Sequence, residues 1–268
     1  MKTKRAQPAP YPELRGSLST IRYPAFIEPK RDGEFNLAIS DGSKVSLVNK
    51  GGLERTDGYI TNILFSLGKS FTLLGELCYH EGLNGDLYRL LANKKTDSAI
   101  VYHVFDIADL DGKDVKNKQL IERKELLIDL FKRFSSPYVR LNPTYVCKSK
   151  DELMDRHKII CEAGFEGSVT KNIDGRLNFG PIGWAKEKVT DITSFKVSYI
   201  DPAADRIEVL VQSVNDNGVT CKACGVKVGQ SDKLKIRVGD YVDIKHMGIL
   251  SEGGLRHPVY KGRTHATT

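Results

Sequence analysis

Residues 28–33 read Glu28-Pro29-Lys30-Arg31-Asp32-Gly33, a lysine set between the apolar run Ala25-Phe26-Ile27 and a glycine, with a carboxylate two residues on. A lysine that is to act as a nucleophile must shed its proton, and neighbouring cations or desolvation make that easier. Arg31, Lys186 and Lys188 are candidate cations. Gly33 permits a tight backbone beside a ligand. Taken alone the pattern K-x-D-G is weak, because the same residue types also make an ordinary surface turn.

Working outward, short apolar runs and turn signals point to strands. Glu34 to Ser40 and Lys44 to Val48 flank Asp41-Gly42, a strong hairpin signal. Phe71 to Tyr79 and Ala99 to Ala108 read as strands, the second closed by Asp111-Gly112. Tyr138 to Cys147 and Phe165 to Thr170 read as two more. Helices are expected from Asp57 to Leu67, along the stripe Leu83, Leu87, Leu90 and Leu91, and from Asn117 to Phe134. The last shows Leu120, Leu127, Phe131 and Phe134 on one face. Ser149-Lys150-Asp151-Glu152 is a capping box that opens another helix, and Gly164 is a fitting stop. Beyond about Ile192 no long helical pattern remains. Short strands there are divided by Asp201-Pro202, Asn217-Gly218 and Gly239-Asp240, a pattern expected of a small closed barrel. Residues 1–24, with Pro8, Pro10, Pro12 and Pro24, read as an extended arm.

Several of these strands carry polar residues suited to a nucleotide. Leu73-Leu74-Gly75-Glu76-Leu77 sets one carboxylate in an apolar strand, and Val104-Phe105-Asp106-Ile107 sets an aromatic in the next. Glu166-Gly167-Ser168-Val169-Thr170-Lys171 starts a strand with an acid. In Trp184-Ala185-Lys186-Glu187-Lys188 the i, i+2 spacing puts both ammonium groups on one face of a strand. A nucleophilic lysine, two strand carboxylates, a flat ring and a cation pair would hold a nucleoside triphosphate with a divalent metal.

The order and spacing of these segments resemble the covalent nucleotidyltransferases, which comprise DNA ligases, RNA ligases and mRNA capping enzymes. The resemblance runs through K-x-D-G, the Gly-Glu strand, the aromatic-Asp strand, E-G-x-V and K-x-K, all in order from Lys30 to Lys188. Leu120-Ile121-Glu122-Arg123-Lys124 is similar to the helix that follows the aromatic strand in ATP-dependent DNA ligases. Gly253-Gly254-Leu255-Arg256-His257-Pro258-Val259-Tyr260-Lys261-Gly262-Arg263 is similar to the final motif of small phage-type ligases. The resemblance implies an α+β fold. An adenylation (nucleotidyltransferase) domain of antiparallel sheets with flanking helices is expected over 25–192, and an oligonucleotide-binding (OB-fold) β-barrel over 193–268.

The resemblance also implies roles. Lys30 would attack the α-phosphate of ATP, Glu28 would accept from the adenine amino group, and Phe105 would stack on the base. Asp32 would position the nick or the metal. Glu76 would contact the ribose or a metal, and Glu166 would bind Mg2+ (or Mn2+). Lys186 and Lys188 would neutralise the α-phosphate. Lys50 stands where many relatives carry Arg, and Arg256 and Arg263 would orient the leaving pyrophosphate. The implied activity is sealing of 5′-phosphate/3′-hydroxyl nicks in duplex DNA by a monomer. An RNA ligase, a capping guanylyltransferase and a non-catalytic OB-fold binder with a dead transferase domain are the rivals. ATP is expected over NAD, because the chain leaves no room for a nicotinamide-binding domain, zinc finger or helix-hairpin module. The family usually has Arg five residues after the nucleophile; here Phe35 and then Asn36 follow, so that contact would move to Arg31, Asn36 or Lys50.

Composition fits this. The net charge is +7 over 268 residues, concentrated at both ends. Residues 1–31 hold seven Lys/Arg against Glu13 and Glu28, and residues 195–268 hold 11 against 8 acids. A cationic surface suits a polyphosphate backbone, gripped here by the arm and surface loops. No apolar run reaches the roughly 18 residues of a membrane span, and no apolar segment follows the basic Met1-Lys2-Thr3-Lys4-Arg5, so a cytoplasmic protein is expected. The five cysteines are too scattered for a disulfide framework. Cys221-Lys222-Ala223-Cys224 lacks the second pair that zinc normally takes and reads as a hairpin. His103, in an apolar strand, reads as a satisfied core residue.

Overall fold

The computed structural model describes residues 2–5, 7–56, 58–79, 100–215, 218–249 and 254–264, so the expected helix through Leu83 to Leu91 lies outside the described residues. The chain divides into two compact units, residues 1–187 and 188–268. Strands β1 (Lys2–Arg5) and β2 (Pro12–Gly16) come first, then β3 (Ala25–Pro29), β4 (Glu34–Asp41), β5 (Val45–Asn49) and β6 (Leu53–Thr56). Helix α1 (Tyr59–Phe65) precedes β7 (Ser70–Tyr79), β8 (Ile100–Leu110) and β9 (Lys113–Asp114). Helix α2 (Leu120–Phe131), β10 (Val139–Leu141), β11 (Tyr145–Cys147) and α3 (Lys150–Glu162) follow, then β12 (Gly167–Asn172) and β13 (Gly180–Lys188).

In the first unit one sheet runs β1-β6-β5-β4-β7-β8-β10, with β9 paired to β8, and a second runs β11-β3-β12-β13-β2. The outer face of the first sheet buries Leu47, Leu73, Tyr102, Val104 and Ile107 against Leu64 of α1 and Leu127 and Phe131 of α2. Phe35, Leu37, Leu74, Ile182 and Trp184 fill the space between the sheets. Leu153 and Ile160 of α3 cover Ile27 on the far side. Each fully buried Leu, Ile or Phe contributes about 1.5–3 kcal/mol, so these clusters hold the layers together.

Local chemistry sets the element ends. At the β4–β5 hairpin the Asp41 carboxylate accepts from the Ser43 and Lys44 N–H groups at 2.9 and 3.0 Å, and Gly42 takes φ +86°. Glu122 accepts the Gln119 N–H at the start of α2, which is shorter than the expected span 117–134. Ser149 Oγ accepts the Glu152 N–H at the start of α3, and Gly164 at φ +84° ends it.

Three expectations change. The sheets are mixed, because β10 pairs with β8 and β2 with β13 in parallel; each pair joins segments distant in the chain, which no tight hairpin constrains. The single strand expected over Tyr138 to Cys147 is two strands on different sheets. Asn142-Pro143 breaks it, since Pro143 has no N–H for a ladder. The first 24 residues are extended but not a free arm: β1 pairs with β6 and β2 with β13, Leu14 packing against the cluster between the sheets.

The second unit holds β14 (Asp191–Ile200), β15 (Arg206–Asn215), β16 (Gly218–Lys227), the short α4 (Gln230–Lys233), β17 (Tyr241–His246) and β18 (Val259–Arg263). Its sheet order is β16-β15-β14-β17-β18, and β16 and β18 also meet. Val197, Ile207, Val209, Val211, Val242 and Ile244 alternate inward to form its core. Asp201 caps the β14–β15 turn by accepting from Ala203 and Ala204. Cys221 and Cys224 stand three apart within β16, one exposed and one half-buried, so the strand turns them to opposite faces.

Candidate active site

Lys30 follows the end of β3, where its backbone N–H donates to the Gly167 carbonyl at 2.8 Å. That bond holds it beside the residue preceding β12, and its ammonium forms an ion pair with the Glu166 carboxylate. Glu166 is almost wholly buried, at 4% side-chain exposure, whereas Lys30 keeps 21%, so the nucleophile candidate is both anchored and reachable. Gly33 permits a close backbone approach here, toward β7. A Cβ there would lie 2.1 Å from the Leu77 carbonyl oxygen and 2.7 Å from Glu76 Cγ. The glycine therefore lets the chain press directly on β7 and brings Glu76 up to Lys30.

Glu76 is the most perturbed acid of this group. Burial pushes its carboxyl up to about 8, against the pull of Lys30 and Lys50 and with Glu166 and Asp32 adding repulsion. Lys50 caps the Tyr11 ring at 4.1 Å and lies 5.6 Å from the centre of Phe35. Desolvation lowers its ammonium; Glu76 opposes this, and Lys30 and Lys186 reinforce it. Six of the residues singled out from sequence thus converge within electrostatic reach: Lys30, Asp32, Lys50, Glu76, Glu166 and Lys186. Phe35, where the related pattern has Arg, is buried among rings, 6.2 Å from both Tyr11 and Phe105. Asn36 is fully buried and accepts from Arg55, which pairs with Glu34.

Glu28 and Phe105 form a second cluster behind these groups. Glu28 is 1% exposed and receives four donors: Lys124 and Thr144 on one oxygen, Lys171 (2.8 Å) and Asn142 (3.4 Å) on the other. Burial alone would raise this carboxyl; Lys124 and Lys171 more than offset it and hold it below its usual value. Burial brings Lys171 down to about 8 against the attraction of Glu28. The Lys171 ammonium also sits 4.1 Å from the Trp184 ring and 5.0 Å from that of Phe105. Phe105 is only half-buried, leaving part of its ring for a ligand. Helix α2 clamps this strand twice, since Lys124 donates to the Phe105 carbonyl at 2.9 Å and Arg123 pairs bidentately with Asp106 at 2.8 and 2.9 Å. A cavity of about 330 Å³ lies alongside, lined by Phe26, Leu127, Ile128 and Leu141, with Lys124, Asn142 and Thr144 at its polar end.

Lys124, Asn142, Thr144 and Lys171 were not predicted as site residues. Lys124 and Lys171 left a trace, at the ends of the Leu120–Lys124 helix segment and of the E-G-x-V strand; Asn142 and Thr144 arrive through the crossover at Pro143, which has no sequence signature. His103 is buried, but its Nδ1 has no hydrogen-bond partner among the described residues, so it is a core histidine that is not satisfied. Lys188, Arg256 and Arg263 belong to the second unit, where Lys188 Nζ lies 3.9 Å from Met247 Sδ and Arg263 pairs with Asp240 at 3.0 Å.

Residues 9–188, two thirds of the chain, match the ATP-dependent DNA ligase domain. The chain belongs to the ATP-dependent DNA ligase family. Solved structures agree in fold. A Lig E DNA ligase aligns over 96% of this chain and 99% of its own with TM-score 0.71 at 15% identity. The ligase domain of LigD from M. tuberculosis aligns over 96% and 95% with TM-score 0.57 at 16% identity. The Chlorella virus DNA ligase-adenylate aligns over 96% and 98% with TM-score 0.54 at 16% identity. No curated protein sequence matches the chain. Among the described residues no helix is long and apolar enough to cross a membrane.

Proposed function

We propose that this ligase-family chain seals nicks in duplex DNA through a covalent Lys30–AMP intermediate, in DNA replication, repair or recombination. The observation that carries this is the Lys30–Glu166 ion pair, reachable from solvent and set among Glu76, Lys50 and Asp32. Residues 25–192 are the adenylation domain. Residues 193–268 are the OB-fold barrel, a reading supported by the order β16-β15-β14-β17-β18 with β16 meeting β18.

The chemistry follows from these groups. Lys30 Nζ, once its proton passes to Glu166 or water, attacks the α-phosphorus of ATP and pyrophosphate leaves. The 5′-phosphate of a nick then takes AMP from Lys30, and the 3′-hydroxyl attacks that phosphate and expels AMP. Each step needs alignment and charge neutralisation more than strong acid–base catalysis. Lys186 and Lys50 supply positive charge to phosphate oxygens. Phe105 stacks on the adenine, while Glu28 organises the lysines and amides behind it. Asp32 positions the nick.

A divalent metal fits Glu76 and Glu166. Burial pushes the Glu76 carboxyl up to about 8 and the nearby Glu166 charge adds repulsion, so a cation held by both carboxylates would relieve the pair. Among the described residues no third acid, His or Cys completes a shell, so phosphate oxygens and water would fill it, as Mg2+ prefers. When bound, Mg2+ or Mn2+ supplies Lewis-acid neutralisation of the transferring phosphate. Intact-protein mass after incubation with ATP and Mg2+ tests the proposal: an AMP adduct is expected on wild type and absent in Lys30→Ala. Sealing of nicked RNA but not nicked DNA would overturn the DNA reading.

A further inference from the structure

Three arginines of the first unit lie outside the chemistry above. Arg31, next to the nucleophile, borders the Glu28 cluster through Asn142. Its guanidinium stacks on Phe165 at 4.6 Å, and its Nε donates to Asn142 Oδ1 at 2.9 Å. Arg140, exposed on β10, is the register partner of His103 on β8, and Arg31 and Arg140 act on each other electrostatically. Tyr145 on β11 lies within electrostatic reach of Arg31 and carries Arg156 of α3 over its ring at 4.5 Å. The series Arg140, Arg31 on Phe165, Arg156 on Tyr145 is thus a run of guanidiniums along β10, β11 and α3. None has a carboxylate partner among the described residues.

Such an arrangement is costly without an anion. Arg31 and Arg140 repel one another, whereas Arg156 has Glu152 one helical turn before it on α3. Buried His103, with its Nδ1 unpartnered, supplies no negative charge; burial and then Arg31 and Arg140 depress it to about 3. Guanidiniums fixed by an aromatic face keep their fork of N–H groups free for phosphate oxygens. The aromatic faces are already covered by arginine, so bases have no ring there on which to stack.

We propose that Arg31, Arg140 and Arg156 form a sequence-independent track for consecutive backbone phosphates of the nucleic-acid strand that runs away from Lys30. The track rests on the ligase reading only for the identity of that strand as nicked duplex DNA.

Binding of a nicked duplex, followed by fluorescence anisotropy between 50 and 200 mM KCl, tests this; both limits are on the order of those where salt slopes are usually read. Each phosphate contact removed lowers the slope of log K against log salt by about 0.9. Arg140→Ala/Arg156→Ala is expected to lose about 1.8 of slope, and Arg140→Lys/Arg156→Lys to retain it. Equal slopes for wild type and the alanine pair, with an unchanged thermal transition, overturn the track. So does a wild type whose binding does not depend on salt. Failure of the ligase reading shows elsewhere: wild type that forms no AMP adduct sinks that reading, whatever the slopes.

Discussion

Arg123→Met is the most informative change to the framework behind Phe105. Arg123 and Asp106 are both fully buried and share two charge-assisted bonds of 2.8 and 2.9 Å. Arg123 also donates to the carbonyls of Lys118 (2.6 Å) and Gly175 (3.1 Å). Methionine keeps much of the volume but leaves Asp106 with the Ile107 N–H at 2.8 Å. Removing one partner of a buried pair costs about 3–5 kcal/mol, because the other charge stays uncompensated. The two carbonyls lie near loops where water replaces the donor, so they add little. A loss of about 4 kcal/mol corresponds to a fall of roughly 8–16 °C for a domain of this size. Asp106→Leu/Arg123→Met removes both charges and should recover at least about 2 kcal/mol relative to the summed single losses. Thermal and urea unfolding of the four proteins measure the cycle. A cost below about 1 kcal/mol for Arg123→Met, or additivity in the double variant, would refute the reasoning.

Other outcomes follow from single features. Glu76, near 8 when folded and 4.5 as a free side chain, holds a proton between those values that the unfolded chain has lost. Stability of the metal-free protein should therefore fall as pH rises from 5 toward about 8, by at most about 1.4 kcal/mol per pH unit, and Glu76→Gln should flatten that slope in urea melts. Gly75→Ala puts a Cβ 2.5 Å from the Tyr102 ring and 2.8 Å from the His103 carbonyl; it should cost about 1–3 kcal/mol and reduce AMP-adduct yield by shifting Glu76, seen by paired melts and intact mass. Ser149→Ala should cost about 1 kcal/mol through the lost cap on α3, with Ser149→Asp close to wild type in the same melts.

Hairpins, caps and apolar stripes were legible in the sequence because they depend on neighbours a few residues apart. Asp41-Gly42, Ser149 with Glu152, and the Leu120, Leu127, Phe131 face all act locally. The candidate nucleophile and its carboxylates were legible for another reason, an ordered set of short segments from Lys30 to Lys188. The roles of Gly33 and Phe35 were not. Gly33 serves a backbone contact with β7, and Phe35 joins a ring cluster whose members come from three distant strands and the segment before β2.

By itself the sequence determined which residue types recur in ligase order and where most strands and helices begin. Only the tertiary structure decided which side chains meet. It set Glu166 against Lys30, closed four donors around Glu28, and broke Tyr138 to Cys147 at Pro143 so that Asn142 reaches Glu28 and Arg31. Burial and charge neutralisation depend on positions in space, and residues 28, 124, 142 and 171 become neighbours only when two sheets and a helix close on one carboxylate.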